Sequence, residues 1–165
     1  MNSLFSLSSF DSDFFKTSDV VINNNDIIFS NVSSTFSINI NNGFINWVNK
    51  VKSSLRPIVS GDNVFFVTDN GYYINLNRKN GQVIWITNVL KILKKKKQST
   101  IVTGFIVGSE KTYITTSNGY LIVCSATKGE VKYEKKLAKS INSPPIISNA
   151  ELYVLTGSSQ ILGFR

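Results

Sequence analysis

Residue types that carry chemistry are sparse in this chain and stand apart from one another. Its 165 residues include no histidine, so the side chain most used as a general base and as a metal ligand is missing. The acidic residues Asp62, Asp69, Glu110, Glu130, Glu134 and Glu151 occur singly, and no group of them offers the several oxygen ligands that calcium takes. Cys124 is the single cysteine and ends the apolar run Leu121-Ile-Val-Cys124. That is the setting of a buried small hydrophobe rather than of a reactive thiol. From residue types alone we expect no catalytic residue, no cofactor site and no metal site.

Charge is concentrated in one stretch. The formal net charge is +8, yet residues 1–82 carry six Lys/Arg against six Asp/Glu while residues 83–165 carry twelve against four. Five of those lysines fall in Leu90-Lys-Ile-Leu-Lys-Lys-Lys-Lys-Gln-Ser-Thr100. One reading makes Lys94, Lys95, Lys96 and Lys97 contacts with an anionic surface: acidic lipid headgroups, an acidic protein patch or nucleic acid. The other makes them a solvated loop kept soluble by charge. No aromatic residue interleaves the lysines to stack on bases, so no specific nucleic-acid partner is expected.

The elements that hold these residues repeat. One copy reads Asn63-Val-Phe-Phe-Val-Thr-Asp-Asn-Gly71-Tyr-Tyr-Ile-Asn-Leu-Asn-Arg-Lys-Asn-Gly81-Gln-Val-Ile-Trp85, and the next runs from Lys111 through Gly119 and Gly129 to Tyr133. In both, two glycines lie ten residues apart and an aromatic follows the second by four. An earlier copy, Asp26 to Trp47, keeps Gly43 and Trp47 but has Ser33 at the first glycine position; a fourth begins at Glu151. A period near forty residues marks a repeat architecture. Within it, short runs rich in Val, Ile, Phe, Tyr and Thr alternate with Asn-Gly, Lys-Gly and Gly-Asp pairs, the pattern of strands joined by tight hairpins. Fifteen strands are predicted, from Val20–Ile22 to Gln160–Phe164, in groups of four.

Four short antiparallel strands per forty residues describe propeller blades. The predicted fold is an all-β propeller segment of about four four-stranded antiparallel blades, half of an eight-bladed ring. Residues 1–165 then form a single partial domain. An incomplete blade covers 1–17, with Asn2 to Ser9 as a third strand; blades cover about 18–55, 56–104 and 105–143, and a partial blade 144–165. The basic insertion at 90–100 lengthens the interval between second glycines from 38 (Gly43 to Gly81) to 48 (Gly81 to Gly129). Insertions in repeat proteins map to loops on one face. An open half-ring leaves apolar edges, so either two copies self-associate to close a ring or the chain is part of a longer protein. Met1 to Phe10 lacks a basic start, an apolar core and a cleavage site, so no signal peptide is expected from it. No apolar run reaches the ~20 residues of a membrane-crossing helix.

The segments Gly71 to Trp85 and Gly119 to Tyr133 resemble the pyrroloquinoline-quinone-type propeller repeat: a glycine, an alternating apolar strand, two loose residues, then Gly-x-x-x-Trp. Within that group the chain is similar to the C-terminal half of the BamB family. The usual Ala-Leu-Asp core is replaced by Ile74-Asn-Leu76 and Val123-Cys-Ser125. The resemblance implies a non-catalytic scaffold for protein–protein contact at the periplasmic face of the outer membrane, its partner the outer-membrane β-barrel assembly machinery. Partner binding in that family is attributed to a Leu-x-Leu-Arg element; Ile38-Asn-Ile-Asn41 holds the matching position, so Ile38, Ile40 and Asn41 become candidate partner contacts, with Asn41 replacing the arginine. The same repeat also builds quinone-cofactor dehydrogenases, which makes a fragment of such an enzyme the alternative. A stand-alone propeller module for anionic surfaces is a third reading. Gly43, Gly81 and Gly129 with Trp47, Trp85 and Tyr133 are expected to be architecture, the aromatics packing between blades.

Overall fold

The structure, a computed structural model, describes residues 17–97 and 100–165; Asn2 to Ser9 lie outside the described residues. Alternation of apolar side chains builds four antiparallel sheets in chain order. The first holds β1 (Val21–Asn23), β2 (Asp26–Ser30), β3 (Thr35–Asn39) and β4 (Ile45–Asn49). The second holds β5 (Ile58–Ser60), β6 (Asn63–Val67), β7 (Tyr72–Asn77) and β8 (Val83–Asn88), and the third β9 (Val102–Gly108), β10 (Lys111–Thr116), β11 (Tyr120–Ser125) and β12 (Val131–Lys136). The fourth has three strands, β13 (Ile146–Ser148), β14 (Glu151–Leu155) and β15 (Ile161–Phe164). Each sheet is a meander of neighbouring strands, and the all-β propeller segment read from the sequence is the fold observed.

Sheets stack face to face because both faces of the inner strands are apolar. On β6, Val64 and Phe66 join Ile28 and Trp47 of the first sheet, while Phe65 and Val67 join Phe105 and Ile114 of the third. On β11, Ile122 and Cys124 face the second sheet; Leu121 and Val123 pack with Leu152 and Val154 of the fourth. Such period-two burial on both faces makes the core a series of inter-blade layers rather than one centre.

The two repeated glycines serve different close approaches. At Gly71 (φ +82°) the chain leaving β8 crosses the β6–β7 hairpin: Val89 N donates to Gly71 O at 2.9 Å, and a Cβ there would stand 2.3 Å from Leu90 Cγ. Gly119 receives its own outgoing chain in the same way, Leu137 N donating to Gly119 O at 2.9 Å. Gly81 and Gly129, the second glycines of their repeats, instead receive the preceding blade's tryptophan.

The insertion is not a loop throughout. Val89–Lys97 forms a 3₁₀ helix whose Val89, Leu90 and Leu93 are buried in the layer between the second and third sheets. Positions 90 and 93 coincide on a three-residue turn, and burial of their side chains pins the helix to the blade edge.

Candidate interaction surface

The joint between blades is built from a bulge, an aromatic and a glycine. In each four-stranded sheet the register slips one residue between the third and fourth strands, beside the pairs Ser37↔Trp47, Asn75↔Trp85 and Val123↔Tyr133. A bulge of this kind re-aims the side chain next to it. Trp47 then lies flat on the next blade's Gly81, where a Cβ would come within 2.5 Å of the ring, and its indole N–H donates to Arg78 O at 2.7 Å. Trp85 repeats the arrangement on Gly129, with its N–H donating to Thr127 O at 3.1 Å. Both tryptophans are architecture, as expected. Tyr133 departs from the expectation: it is half exposed and lines a cleft of about 360 Å³ between the third and fourth sheets. The described residues supply no glycine turn after β15 for it to cover.

At the other end Gly43 (φ +73°) has a backbone like that of Gly81 (φ +69°) but nothing within 4 Å of an added Cβ. Around it the first sheet carries a row of four isoleucines in register, Ile22↔Ile27↔Ile38↔Ile45. Its counterpart in the second sheet is Val59↔Val64↔Leu76↔Val83, in which Val64 and Leu76 are fully buried under the first sheet. A second row, Phe29↔Phe36↔Val48, adds a stacked pair with ring centroids 5.4 Å apart. This face therefore has the composition of a blade-to-blade contact, yet Ile22, Ile45 and Phe44 stand 62%, 57% and 73% exposed.

The candidate partner residues fall on the border of this face. Ile38 belongs to the isoleucine row, half-buried. Ile40 opens the turn after β3, its N–H donating to Asn25 O at 2.8 Å; the matching bond in the next blade is Arg78 N to Asp62 O. Ile40 thus occupies the position of Arg78, whose guanidinium reaches back to Asp26 Oδ2 of the preceding blade at 2.5 Å. Asn41 is exposed in the turn, its N–H donating to Asn39 Oδ1 at 2.9 Å. The rest of the face, Ile22, Ile27, Ile45 and Phe44, was not singled out from the sequence; cross-strand register is the signal that exposes it. The backbone of Lys94 to Lys97 lies in the second half of the helix, and their side chains are outside the described residues.

Groups with chemical reactivity are engaged elsewhere. Asp26 pairs with Arg78, Glu130 with Lys132 at 3.1 Å, and Glu151 with Arg165. The Tyr153 hydroxyl and Arg165 hold the Glu151 carboxyl below the ordinary range. Among the described residues no three His, Cys, Asp or Glu side chains gather around a space for a metal ion. Burial pushes the Tyr73 phenol upward, and its hydroxyl bonds Thr112 of the next blade. Burial likewise raises the Cys124 thiol from 9.0 to about 12. Its folded-state pKa lies above the unfolded one, so that contribution to stability is present below about pH 9 and lost as pH rises toward 12. Thiol reagents near neutral pH are expected to leave Cys124 unmodified until denaturant is added; stoichiometric labelling of native protein would contradict its burial.

Comparison with known proteins adds to this geometry. The family described as outer membrane protein assembly factor BamB matches residues 15–87. The outer membrane protein assembly factor BamB of Legionella pneumophila is 26% identical over 145 residues, 87% of this chain and 36% of the relative. The chain spans two-fifths or less of the length of this relative and of an uncharacterized Rickettsia conorii protein. Among solved structures, BamB from Moraxella catarrhalis superposes with a TM-score of 0.69 at 18% identity, over 88% of this chain and 45% of its own. A quinohemoprotein alcohol dehydrogenase from Comamonas testosteroni gives 0.60 at 19% identity, over 73% and 21%. At these identities the structural likeness shows the fold alone.

Proposed function

Because the chain belongs to the pyrroloquinoline-quinone-type β-propeller repeat family, we propose that it is part of a non-catalytic scaffold that holds protein partners. The partner is the outer-membrane β-barrel assembly machinery, met at the periplasmic face of the outer membrane. The observation that carries this reading is the match of residues 15–87 to the BamB family, which covers the first sheet and its open face. A stack of blades holds its turns rigidly, and a few anchored apolar side chains on such turns provide most of the affinity. Ile40, 43% exposed, protrudes from the candidate motif, and Phe44, 73% exposed, stands just beyond it. Ile38 belongs to the isoleucine row and supports the turn from below.

The quinone-enzyme reading rests on the dehydrogenase likeness. The ion pairs of Asp26, Glu130 and Glu151 weigh against it, since those carboxylates already face cations. Interferometry against the purified assembly machinery tests the scaffold. Saturable binding is expected, weakened at least ~5-fold by Ile40→Asp with Phe44→Ser, the loss typical of an exposed anchor, while the melting curve stays put. Absence of binding would overturn the reading, as would saturable uptake of pyrroloquinoline quinone with calcium together with dye-linked dehydrogenase activity.

A further inference from the structure

The lysine run has a defined setting that the scaffold reading does not use. The 3₁₀ helix Val89–Lys97 is fastened by buried Val89, Leu90 and Leu93 and packs beside β12, the outer strand of the third blade. That strand exposes Lys132, Lys135 and Lys136, with Lys139 exposed just beyond it. The Lys136 ammonium stands 4.7 Å from the Tyr120 ring and Lys135 5.8 Å from that of Phe164. Neither contact cancels the positive charge. With three residues per turn, positions 94 and 97 align along the helix with Lys91, which is exposed. The lysine positions of the helix and Lys136 of β12, far apart in sequence, thus lie on one edge of the propeller. Lys135 turns into the cleft toward the fourth sheet, and Lys132 is paired with Glu130.

The composition of this edge selects its ligand. All its cations are lysines, compact and strongly hydrated charges suited to a diffuse anionic layer rather than to the bidentate recognition that arginine gives. Lysines gathered on one surface are attracted to anionic lipid headgroups at about 1 kcal/mol each. A nucleic-acid groove would instead interleave stacking platforms with its cations, and no aromatic residue interrupts the lysine run of the helix.

We propose that this edge, helix Val89–Lys97 with the outer strand of the third blade, docks the propeller onto an anionic phospholipid surface. Purified protein is floated with vesicles of phosphatidylcholine, with and without phosphatidylglycerol, in about 0.1 M and about 1 M salt, a change that shortens the screening length from ~10 Å to ~3 Å. The expected result is flotation on the anionic vesicles alone, lost at high salt. The variant K94S/K95S/K96S/K97S weakens it by at least ~100-fold, at roughly five-fold per lysine, with unchanged circular dichroism. Should that variant misfold, K136S/K139S, at exposed positions, serves instead with a loss of at least ~10-fold. Equal flotation on neutral vesicles, no flotation at all, or undiminished binding by a folded variant would overturn the proposal. So would displacement from vesicles by a mixed-sequence oligonucleotide bound more tightly. The test contains no protein partner, so its failure is distinguishable from failure of the scaffold reading.

Discussion

Replacing Trp47 by alanine is expected to lower the unfolding free energy by about 3–5 kcal/mol. Trp47 is 7% exposed, its ring lies directly against Gly81, and Gly81 has no side chain with which to collapse into the space left behind. The change also removes the donor that Arg78 O receives at 2.7 Å. Trp85→Ala acts by the same means at the next joint, toward the lower end of the range because Trp85 is only half-buried. Blades touch only their neighbours, so stability is close to a sum of blade and joint contributions. Loss of one joint therefore broadens the transition as well as shifting it. Urea unfolding followed by tryptophan fluorescence and by circular dichroism checks both: the two probes should separate in Trp47→Ala. A change below ~1 kcal/mol would mean that the ring does not hold the blades together.

Gly119→Ala is the second large effect, expected to cost at least about 3 kcal/mol. A left-handed backbone costs an ordinary residue roughly 1–2 kcal/mol, and φ is +79° here. The added Cβ would also stand 2.0 Å from the carbonyl oxygen of Ala138, a backbone atom that no rotamer change can move. A loss of this size lowers the melting temperature by about 6–12 °C in a chain of this length. Gly43→Ala is the internal control. With φ +73° and nothing within 4 Å, it bears the conformational cost alone, about 1–2 kcal/mol. Equal losses at the two positions would show that the crossing at Gly119 is looser than described.

The strands were legible because alternation and hairpin glycines are local signals. The predicted Thr35–Asn41 ends at Asn39, since Gly43 N donates back to Asn39 O at 2.9 Å and closes the turn early. The predicted Phe105–Val107 extends to Val102–Gly108, because pairing with β10 carries it past its most apolar residues. The jobs of the two repeated glycines were not separable by spacing. One takes a neighbouring blade's indole and the other takes the outgoing chain, and only the crossing itself distinguishes them. The helix escaped notice because its lysines mask three apolar residues that matter only against Gly71 and the core layer. Ile38, Ile40 and Asn41 were visible through resemblance. The isoleucine row beside them needs the pairing of four strands, which no single segment encodes. That same row gives Ile38 a packing role that its place in a motif does not reveal.

Hydrogen exchange on the chain, alone and mixed with the purified outer-membrane assembly machinery, tests the central claim of a non-catalytic docking scaffold most directly. The account expects slowed exchange in the turn from Ile40 to Phe44 and in its flanking strands β3 and β4, with the Trp85–Gly129 joint unchanged. Identical exchange with and without the machinery, across every blade, would contradict it.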